Sequence, residues 1–243
     1  MGNILDAYEA AVTTARRALS EDPAIQEAVS PDSPADLFRL YMIRFSAHGV
    51  KMTESVTSWI SRAGDRCVEL GREELGRALR AHARSEAGHE KLMENDTRLL
   101  VEAWNRSHAA QLDADELLNV PTLYSARKYI QLHEDVIAGP RPYAQIAVEF
   151  EIERLSVVVG PQVLARCAQT LDDGGYSFLA EHVELDQGHT AFNERQLSRL
   201  LEADDSDLVG LVETGQEALK WYQAFLAECS ALAKTDLARA NAE

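Results

Sequence analysis

Residues 82–89 read HARSEAGH and residues 182–189 read HVELDQGH, so two stretches 100 positions apart share the pattern His-x-x-x-acid-x-Gly-His. An even spread of the chain's seven histidines would put roughly half of one in these sixteen positions, but four are present. On an α-helix, positions i, i+4 and i+7 fall within about 60° of one another. We therefore predict that each stretch places two imidazoles and a carboxylate on one narrow helix face.

A glycine precedes the last histidine of both stretches, at Gly88 and Gly188. Glycine inside a helix costs about 1 kcal/mol relative to alanine. We expect that glycine is present at both positions because a neighbouring helix or a bound group comes close to the backbone there.

The sequence on either side of both stretches has a helical pattern. Only seven prolines occur, and between them Ala, Leu, Glu and Arg recur with the helical period, while no segment alternates with a period of two. We predict an all-α fold with helices over 3–20, 34–62, 70–107, 122–138, 142–171, 174–202 and 205–235. Pro161 predicts a kink or a break in the fifth of these helices.

The remaining segments are predicted to be connections within one domain that spans residues 1–243. Residues 23–34 and 112–121 have neither the length nor the composition of an interdomain linker. The tail from residue 234 to residue 243 is small and polar, and we expect it to fray.

The composition excludes several classes of partner. The chain has 40 acidic and 24 basic residues, a net charge of −16, which argues against binding nucleic acid or an anionic membrane surface. Its longest apolar run is far below the roughly 20 residues that cross a bilayer. Because the N-terminus lacks the pattern of a signal peptide, we expect a cytoplasmic protein. Cys67, Cys167 and Cys229 form no Cys-x-x-Cys pair, and we interpret them as buried thiols.

Imidazole nitrogens and carboxylate oxygens at helical spacing are donors that hold iron or manganese between packed helices. Glu86-x-x-His89 and Asp186-x-x-His189 match the Glu-x-x-His spacing of such sites. A carboxylate that bridges two metal ions is also needed, and we expect it to come from a third, buried helix.

Residues 143–159 provide the candidates for this carboxylate. A helical wheel places Glu151 within their apolar face, and burying an unpaired carboxylate there is costly unless it is paired or binds a cation. The same wheel places Glu149 and Glu153 at or nearer the exposed edge. We therefore predict Glu151 as the middle ligand, ahead of Glu153 and then Glu149.

Other polar residues are assigned structural roles. His48, His108 and His133 have no matching companions, and we interpret them as structural. Glu54 is either an extra carboxylate of the site or part of a solvated helix face. Six aromatic residues at helical spacing are expected in the core: Tyr41, Phe45, Trp59, Trp221, Tyr222 and Phe225.

The late motif His182-x-x-x-Asp186-x-x-His189, with an earlier Glu-x-x-His and a Glu between them, resembles the haem-oxygenase-like diiron oxidases and oxygenases. The resemblance covers about residues 35–202 and implies a compact seven-helix bundle with two iron ions held by three histidines and three carboxylates. The ligands that it implies are Glu86, His89, Glu151, His182, Asp186 and His189.

The resemblance also implies O2 as a co-substrate and a homodimer. Members of the family oxidise small molecules, commonly amino acids or fatty acids, in biosynthetic pathways by N-oxygenation, desaturation, C–C cleavage or nitrile formation. Some members carry a glutamate seven residues before the first-motif histidine, where this chain has His82. The ligand on the first helix is therefore either His82 or Glu86.

Four alternatives compete with this hypothesis. A metal-free enzyme of the same fold, similar to thiaminase II or the pyrroloquinoline quinone synthesis oxidase, would leave the six donors unexplained. A ferritin-like iron-handling protein would use Glu54 and Glu151 with the two acid-x-x-His motifs. A helical interaction module is disfavoured because no repeat of 30–45 residues occurs, and a single structural zinc needs fewer donors than the chain offers.

Overall fold

The computed structural model describes residues 4–171 and 174–242. Within these residues the chain forms α-helices and two 3-10 turns, and no strand, so the all-α prediction is confirmed. The helices are α1 (Ile4–Ser20), α2 (Pro23–Val29), α3 (Ala35–Thr53), α4 (Val56–Glu69), α5 (Glu73–Ser85), α6 (His89–Ser107), α7 (Ala114–Leu118), α8 (Tyr124–Ala138), α9 (Gln145–Val158), α10 (Gly160–Thr170), α11 (Ser177–Ala203) and α12 (Leu208–Ala240). The 3-10 turns are Pro142–Ala144 and Asp205–Asp207.

Three of the seven predicted helices are subdivided in the structure. The prediction of one helix over 34–62 is wrong because the chain breaks between α3 and α4. The prediction over 70–107 is wrong because α5 ends at Ser85 and α6 begins at His89. Gly88, with φ of 94°, lies in the left-handed region between them, and only glycine enters that region without strain. Ten of the described helices are longer than seven residues, where the resemblance implied seven helices.

Short helices also occur in segments predicted as connections. The Asp22 carboxylate accepts hydrogen bonds from the backbone N–H groups of Ala24 and Ile25, and Pro23 occupies the first turn, so α2 has a standard N-terminal cap. The Asp113 side chain caps the five-residue α7 in the same way.

Two further boundaries bear on the predictions. The predicted break near Pro161 is confirmed, because α9 ends at Val158 and α10 begins at Gly160. The prediction of a frayed tail from residue 234 is wrong, because α12 continues to Ala240 and buries Asp236 against Arg44 with a Nε–Oδ2 distance of 2.6 Å.

Helix α9 lies at the centre of the bundle. Its residues 145–151 are all buried, and so is Glu153. It runs antiparallel to α11, since Asn193 of α11 hydrogen-bonds to Glu153 and a Cβ added at Gly160 would lie 2.7 Å from Val183. Because this part of α9 has no solvent-exposed side, the positions of apolar residues on a helical wheel do not show which of its carboxylates points toward a ligand site.

The core around α9 is apolar and aromatic. Four of the six aromatic residues expected there are buried and Trp221 and Tyr222 are half-buried, while the three cysteines are buried free thiols, as predicted. None of the helices in the described part of the chain combines the length and apolarity that a bilayer-spanning segment needs.

Candidate metal centre

The structure brings side chains from three parts of the chain together inside the bundle. His82 comes from the last turn of α5, Glu86 from the turn that follows it, and His89 from the first residue of α6. Helix α9 contributes Glu153, and α11 contributes His182, Asp186 and His189. All of these side chains are buried except His189, which is half-buried.

These residues form two donor groups that share one carboxylate. In the first group, one ligand atom each from His82, Glu86, Glu153 and His189 lie within 4.8 Å of one another, and in the second the same holds for Glu86, His89 and His182. Nitrogen and oxygen ligands stand about 2 Å from a bound transition metal, so two ligands of one ion lie within about 4 Å. Small side-chain movements would therefore bring the ligand atoms of each group within binding distance of one ion, with Glu86 shared by the two groups.

The shared carboxylate uses both of its oxygens. Glu86 Oε1 lies 3.0 Å from Nδ1 of His189 and 3.5 Å from Nε2 of His82, while Oε2 lies 3.0 Å from Nδ1 of His89. One oxygen thus faces each donor group. This is the arrangement expected of a carboxylate that bridges two cations.

Many donor atoms of the cluster lack hydrogen bonds. Nε2 of His82 lies 2.8 Å from Oε1 of Glu153, yet neither atom has a hydrogen-bond partner in acceptable geometry. The same is true of Glu86 Oε1, His189 Nδ1 and both carboxylate oxygens of Asp186. Buried polar atoms are nearly always satisfied in folded proteins, and a set of unsatisfied imidazole and carboxylate donors that face one another fits bound metal ions.

Charges within the cluster shift its pKa values in opposite directions. Burial disfavours charge on His82, but the Glu153 and Glu86 carboxylates outweigh burial and raise the pKa of His82 to about 10. Asp186 and Glu86 raise the pKa of His189 to about 10 as well. Burial opposes the charge of Glu86, but the three neighbouring imidazoles hold its pKa well below the usual range. In the absence of a cation, protonated imidazoles therefore offset the negative charge of the carboxylates, and a bound cation would take the place of these protons.

Hydrogen bonds outside the cluster orient its ligands. Nδ1 of His182 lies 2.7 Å from the carbonyl oxygen of Phe178, so Nδ1 carries the proton and Nε2 is left free to bind. Asn193 donates from Nδ2 to Oε2 of Glu153 at 2.6 Å, which leaves Oε1 facing the cluster. Sequence reasoning missed Asn193, although its position four residues after His189 continues the 4-3-4 spacing of the late motif on the same face.

Glu149 lies beside the cluster and holds a different set of contacts. Gln145 donates from Nε2 to Oε1 of Glu149 at 2.5 Å, and the same nitrogen lies 2.7 Å from Nδ1 of His133. Burial, together with the nearby charge of Glu153, raises the pKa of Glu149 to about 8. Glu149 is thus a carboxyl group that keeps its proton near neutral pH next to the donor groups.

The structure places Glu151, the residue predicted as the middle ligand, outside the cluster. Its carboxylate accepts hydrogen bonds from Arg16, with Nε–Oε2 and Nη2–Oε1 distances of 2.7 and 2.8 Å, and from the Tyr8 hydroxyl at 2.9 Å. Burial of Glu151 is therefore explained by an ion pair with α1. The prediction that Glu149 and Glu153 lie at or nearer the exposed edge is wrong, because both are buried. Glu153 is the α9 carboxylate within the donor groups.

The first of the two matched stretches reaches this geometry without a continuous helix. Residues 86–88 form a turn, so His82, Glu86 and His89 do not share one helix face as predicted. Gly88 provides the positive φ of that turn, and a Cβ at Gly88 or at Gly188 would meet no atom within 4 Å. The expectation that a neighbouring helix comes close to these two glycines is therefore wrong.

The other candidate residues lie away from the cluster. His133 stacks on Trp59 with 4.0 Å between ring centroids, and His108 stacks on Trp104 at 3.5 Å. Glu54, which the ferritin-like alternative requires, is exposed and lies 3.2 Å from Nζ of Lys51. The solvated-face interpretation of Glu54 is the one that the structure supports.

A cavity of about 80 Å³ adjoins the donor groups. Its walls combine the carboxylates of Glu86 and Glu153 and the imidazoles of His89 and His182 with apolar and aromatic side chains. The latter include Met93, Tyr129, Phe178 and Phe225. A concave space that combines a few polar groups with an apolar lining is typical of a small-molecule site.

Comparison with solved structures identifies the fold. A domain of unknown function with a haem-oxygenase-like fold from Shewanella denitrificans superposes with a TM-score of 0.71 at 17% identity, covering 94% of this chain and 92% of that one. A TenA homolog from Pseudomonas syringae pv. tomato gives 0.66 at 13% identity (93% and 92% covered), and a CADD-like protein of unknown function from Nostoc punctiforme gives 0.60 at 11% identity (93% and 98% covered).

The chain therefore has a haem-oxygenase-like, all-α fold. No protein-family model and no curated protein matches the chain. Identities this low establish the fold and leave the activity to be argued from the site itself.

Proposed function

We propose that this chain is a non-haem diiron enzyme that uses O2 to oxidise a small molecule, as members of the haem-oxygenase-like diiron family do. The observation that carries the proposal is the sharing of Glu86 by two donor groups. Two cations, and not one, are needed to use both sets of donors, because the first group alone offers four ligand atoms and the second offers two further histidines.

The donor set suits iron. His82, His189, Glu153 and Glu86 would hold one ion, and His89, His182 and Glu86 the other, with Asp186 available beside them, its Oδ1 3.4 Å from Nδ1 of His189. Mixed imidazole and carboxylate donors with open positions are the ligands of non-haem iron that reacts with O2. Two bound iron ions would supply the activation of O2 at this site.

The protein's own residues would control the surroundings of that chemistry. The carboxylates of Glu86, Glu153 and Asp186 offset most of the positive charge of two divalent ions within a buried space. Asn193 and the Phe178 carbonyl fix the directions of Glu153 and His182. The apolar wall excludes water from the substrate, and Glu149 holds a proton next to the donors near neutral pH.

The test is anaerobic loading with Fe(II) followed by exposure to O2. We expect about two iron ions per chain by elemental analysis, a Mössbauer spectrum of coupled high-spin sites, and a transient visible band whose formation depends on a suitable small molecule. His182→Ala and His189→Ala are expected to lower the iron content and abolish the band. A metal-free enzyme of the same fold predicts the opposite, namely activity that survives both substitutions.

A further inference from the structure

The cavity at the metal centre meets a second, apolar groove. This groove encloses about 100 Å³, more than the 80 Å³ of the cavity. Three residues, Phe45, Ser156 and Tyr222, line both spaces. The two spaces are therefore neighbours that share one wall.

The helices that carry the ligands also lead into the groove. On α9, Ser156 follows Glu153 by three residues, so it lies on the same side of the helix as that ligand, and Gly160, the first residue of α10, also lines the groove. On α11, which runs antiparallel, Leu179 precedes His182 by three residues and lines the groove. A molecule bound at the centre that extends along these two helices would enter the groove past Ser156.

The lining of the groove is mostly apolar. Its wall is formed mainly by Leu19, Ile25, Val29, Val163, Leu179 and Leu226, and none of its lining residues in the described part of the chain is charged. No Lys or Arg lines the cavity at the centre either. Val163, Leu179 and Leu226 pack against the core but are only half-buried, so part of their apolar surface stays accessible. Such a wall favours an apolar occupant and penalises a charged one.

We infer that the molecule oxidised at the centre carries an uncharged apolar tail that lies in this groove, while its polar head lies at the donor groups. This inference rests on the proposed function, because it assigns the groove to the substrate of that centre. It excludes amino acids with charged side chains from the substrates, since the groove has no group to pair with them.

The test measures how affinity depends on the length of the tail. Butanoate, hexanoate, octanoate and decanoate are titrated by calorimetry into the Fe(II)-loaded protein without oxygen. Burial of one methylene group contributes about a fourfold gain in affinity. We expect this gain for each added methylene until the groove is filled, and a constant affinity for longer chains.

Two matched variants localise the effect. Val163→Trp fills the groove from α10, away from every ligand, and is expected to reduce the affinity for decanoate to that for butanoate, while butanoate binds unchanged. Val209→Trp, at an exposed position with 66% of its surface accessible, is expected to change neither. If Val163→Trp does not fold, the nearly isosteric Val163→Thr places a hydroxyl in the groove and should weaken decanoate binding several-fold.

The outcomes separate this inference from the proposed function. Affinity that is independent of chain length, or length dependence that neither Val163 variant reduces, would overturn the assignment of the groove even where iron and O2 behave as expected. Length-dependent binding in a protein that binds iron but shows no reaction with O2 would support the groove and refute the oxidation.

Discussion

Glu151 and Glu153 lie two residues apart on α9 and end in different environments. Glu151 pairs with Arg16 and Tyr8, whereas Glu153 faces His82 and His189. Two residues along a helix turn a side chain by about 200°, so the two carboxylates point to opposite sides of α9.

We therefore predict that the same change from Glu to Gln has different effects at the two positions. Glu153→Gln should lower the affinity for Fe(II) by more than about tenfold, because it removes a charged donor from the first group. Glu151→Gln should leave iron binding unchanged and lower the free energy of unfolding by about 2 kcal/mol, the usual worth of a hydrogen bond to a charged group. Chelator competition and urea unfolding measure the two effects. Equal loss of iron binding in both variants would contradict the assignment.

Asn193 acts on the centre through Glu153. Asn193→Ala removes the donor that directs the Glu153 carboxylate, and loss of such an outer partner typically costs about 10–100-fold in metal affinity. Gln187→Ala, an exposed change on the same helix, is the matched control and should have no effect. A chelator titration in which both variants bind iron like the unmodified protein would exclude this role.

The histidine pKa values predict the pH dependence of metal binding. His82 and His189 have pKa values of about 10 in the metal-free protein, so both are protonated at pH 7. Iron must displace these protons, and apparent affinity should therefore rise with pH, with about two protons released for each filled centre near neutral pH. Calorimetry in buffers of different ionisation enthalpy counts the protons. An affinity that is constant from pH 6.5 to pH 8.5 would be inconsistent with these shifts.

At the scale of elements, the turn between α5 and α6 decides where the early ligands point. The turn places Glu86 between its flanking histidines, and Gly88 adopts a φ of 94° that other residues reach only with strain. The equivalent Gly188 lies inside α11, and a Cβ there would meet no neighbouring atom.

The two glycines should therefore respond in opposite ways to alanine. Gly88→Ala is expected to destabilise the protein by about 1–2 kcal/mol because of the left-handed backbone. Gly188→Ala is expected to stabilise it by up to about 1 kcal/mol through helix propensity. Urea denaturation of the metal-free variants provides both values. A neutral Gly88→Ala would show that the turn tolerates a side chain.

The sequence predicted which segments are helical better than it predicted where the helices are interrupted. The helical periodicity and Pro161 are local features, and they identified the fold class and one of the breaks. The turn at residues 86–88 was missed because the regular His-x-x-x-Glu-x-x-His spacing fits a helix equally well. The role of Glu151 was missed because its partner, Arg16, is 135 positions away, and a buried carboxylate does not reveal from sequence which cation it meets.

At the scale of the whole molecule, the fold assembles donors that are far apart in the chain. Helix α11 packs against both α9 and α6. The ring of His189 stands 4.7 Å from that of His82, and the ring of His182 stands 4.6 Å from that of His89. The 100-residue offset of the two stretches thus becomes two imidazole pairs, one on each side of Glu86. Sequence comparison within the chain indicated this pairing, but only the packed helices show which histidines face each other.

Anomalous diffraction at the iron edge, from crystals loaded with Fe(II) without oxygen, tests the central claim most directly. We predict two peaks about 3.5–4 Å apart, one beside His82, Glu153 and His189 and the other beside His89 and His182, with the Glu86 carboxylate between them. A single peak held by one group, or peaks remote from Glu86, would contradict a diiron centre.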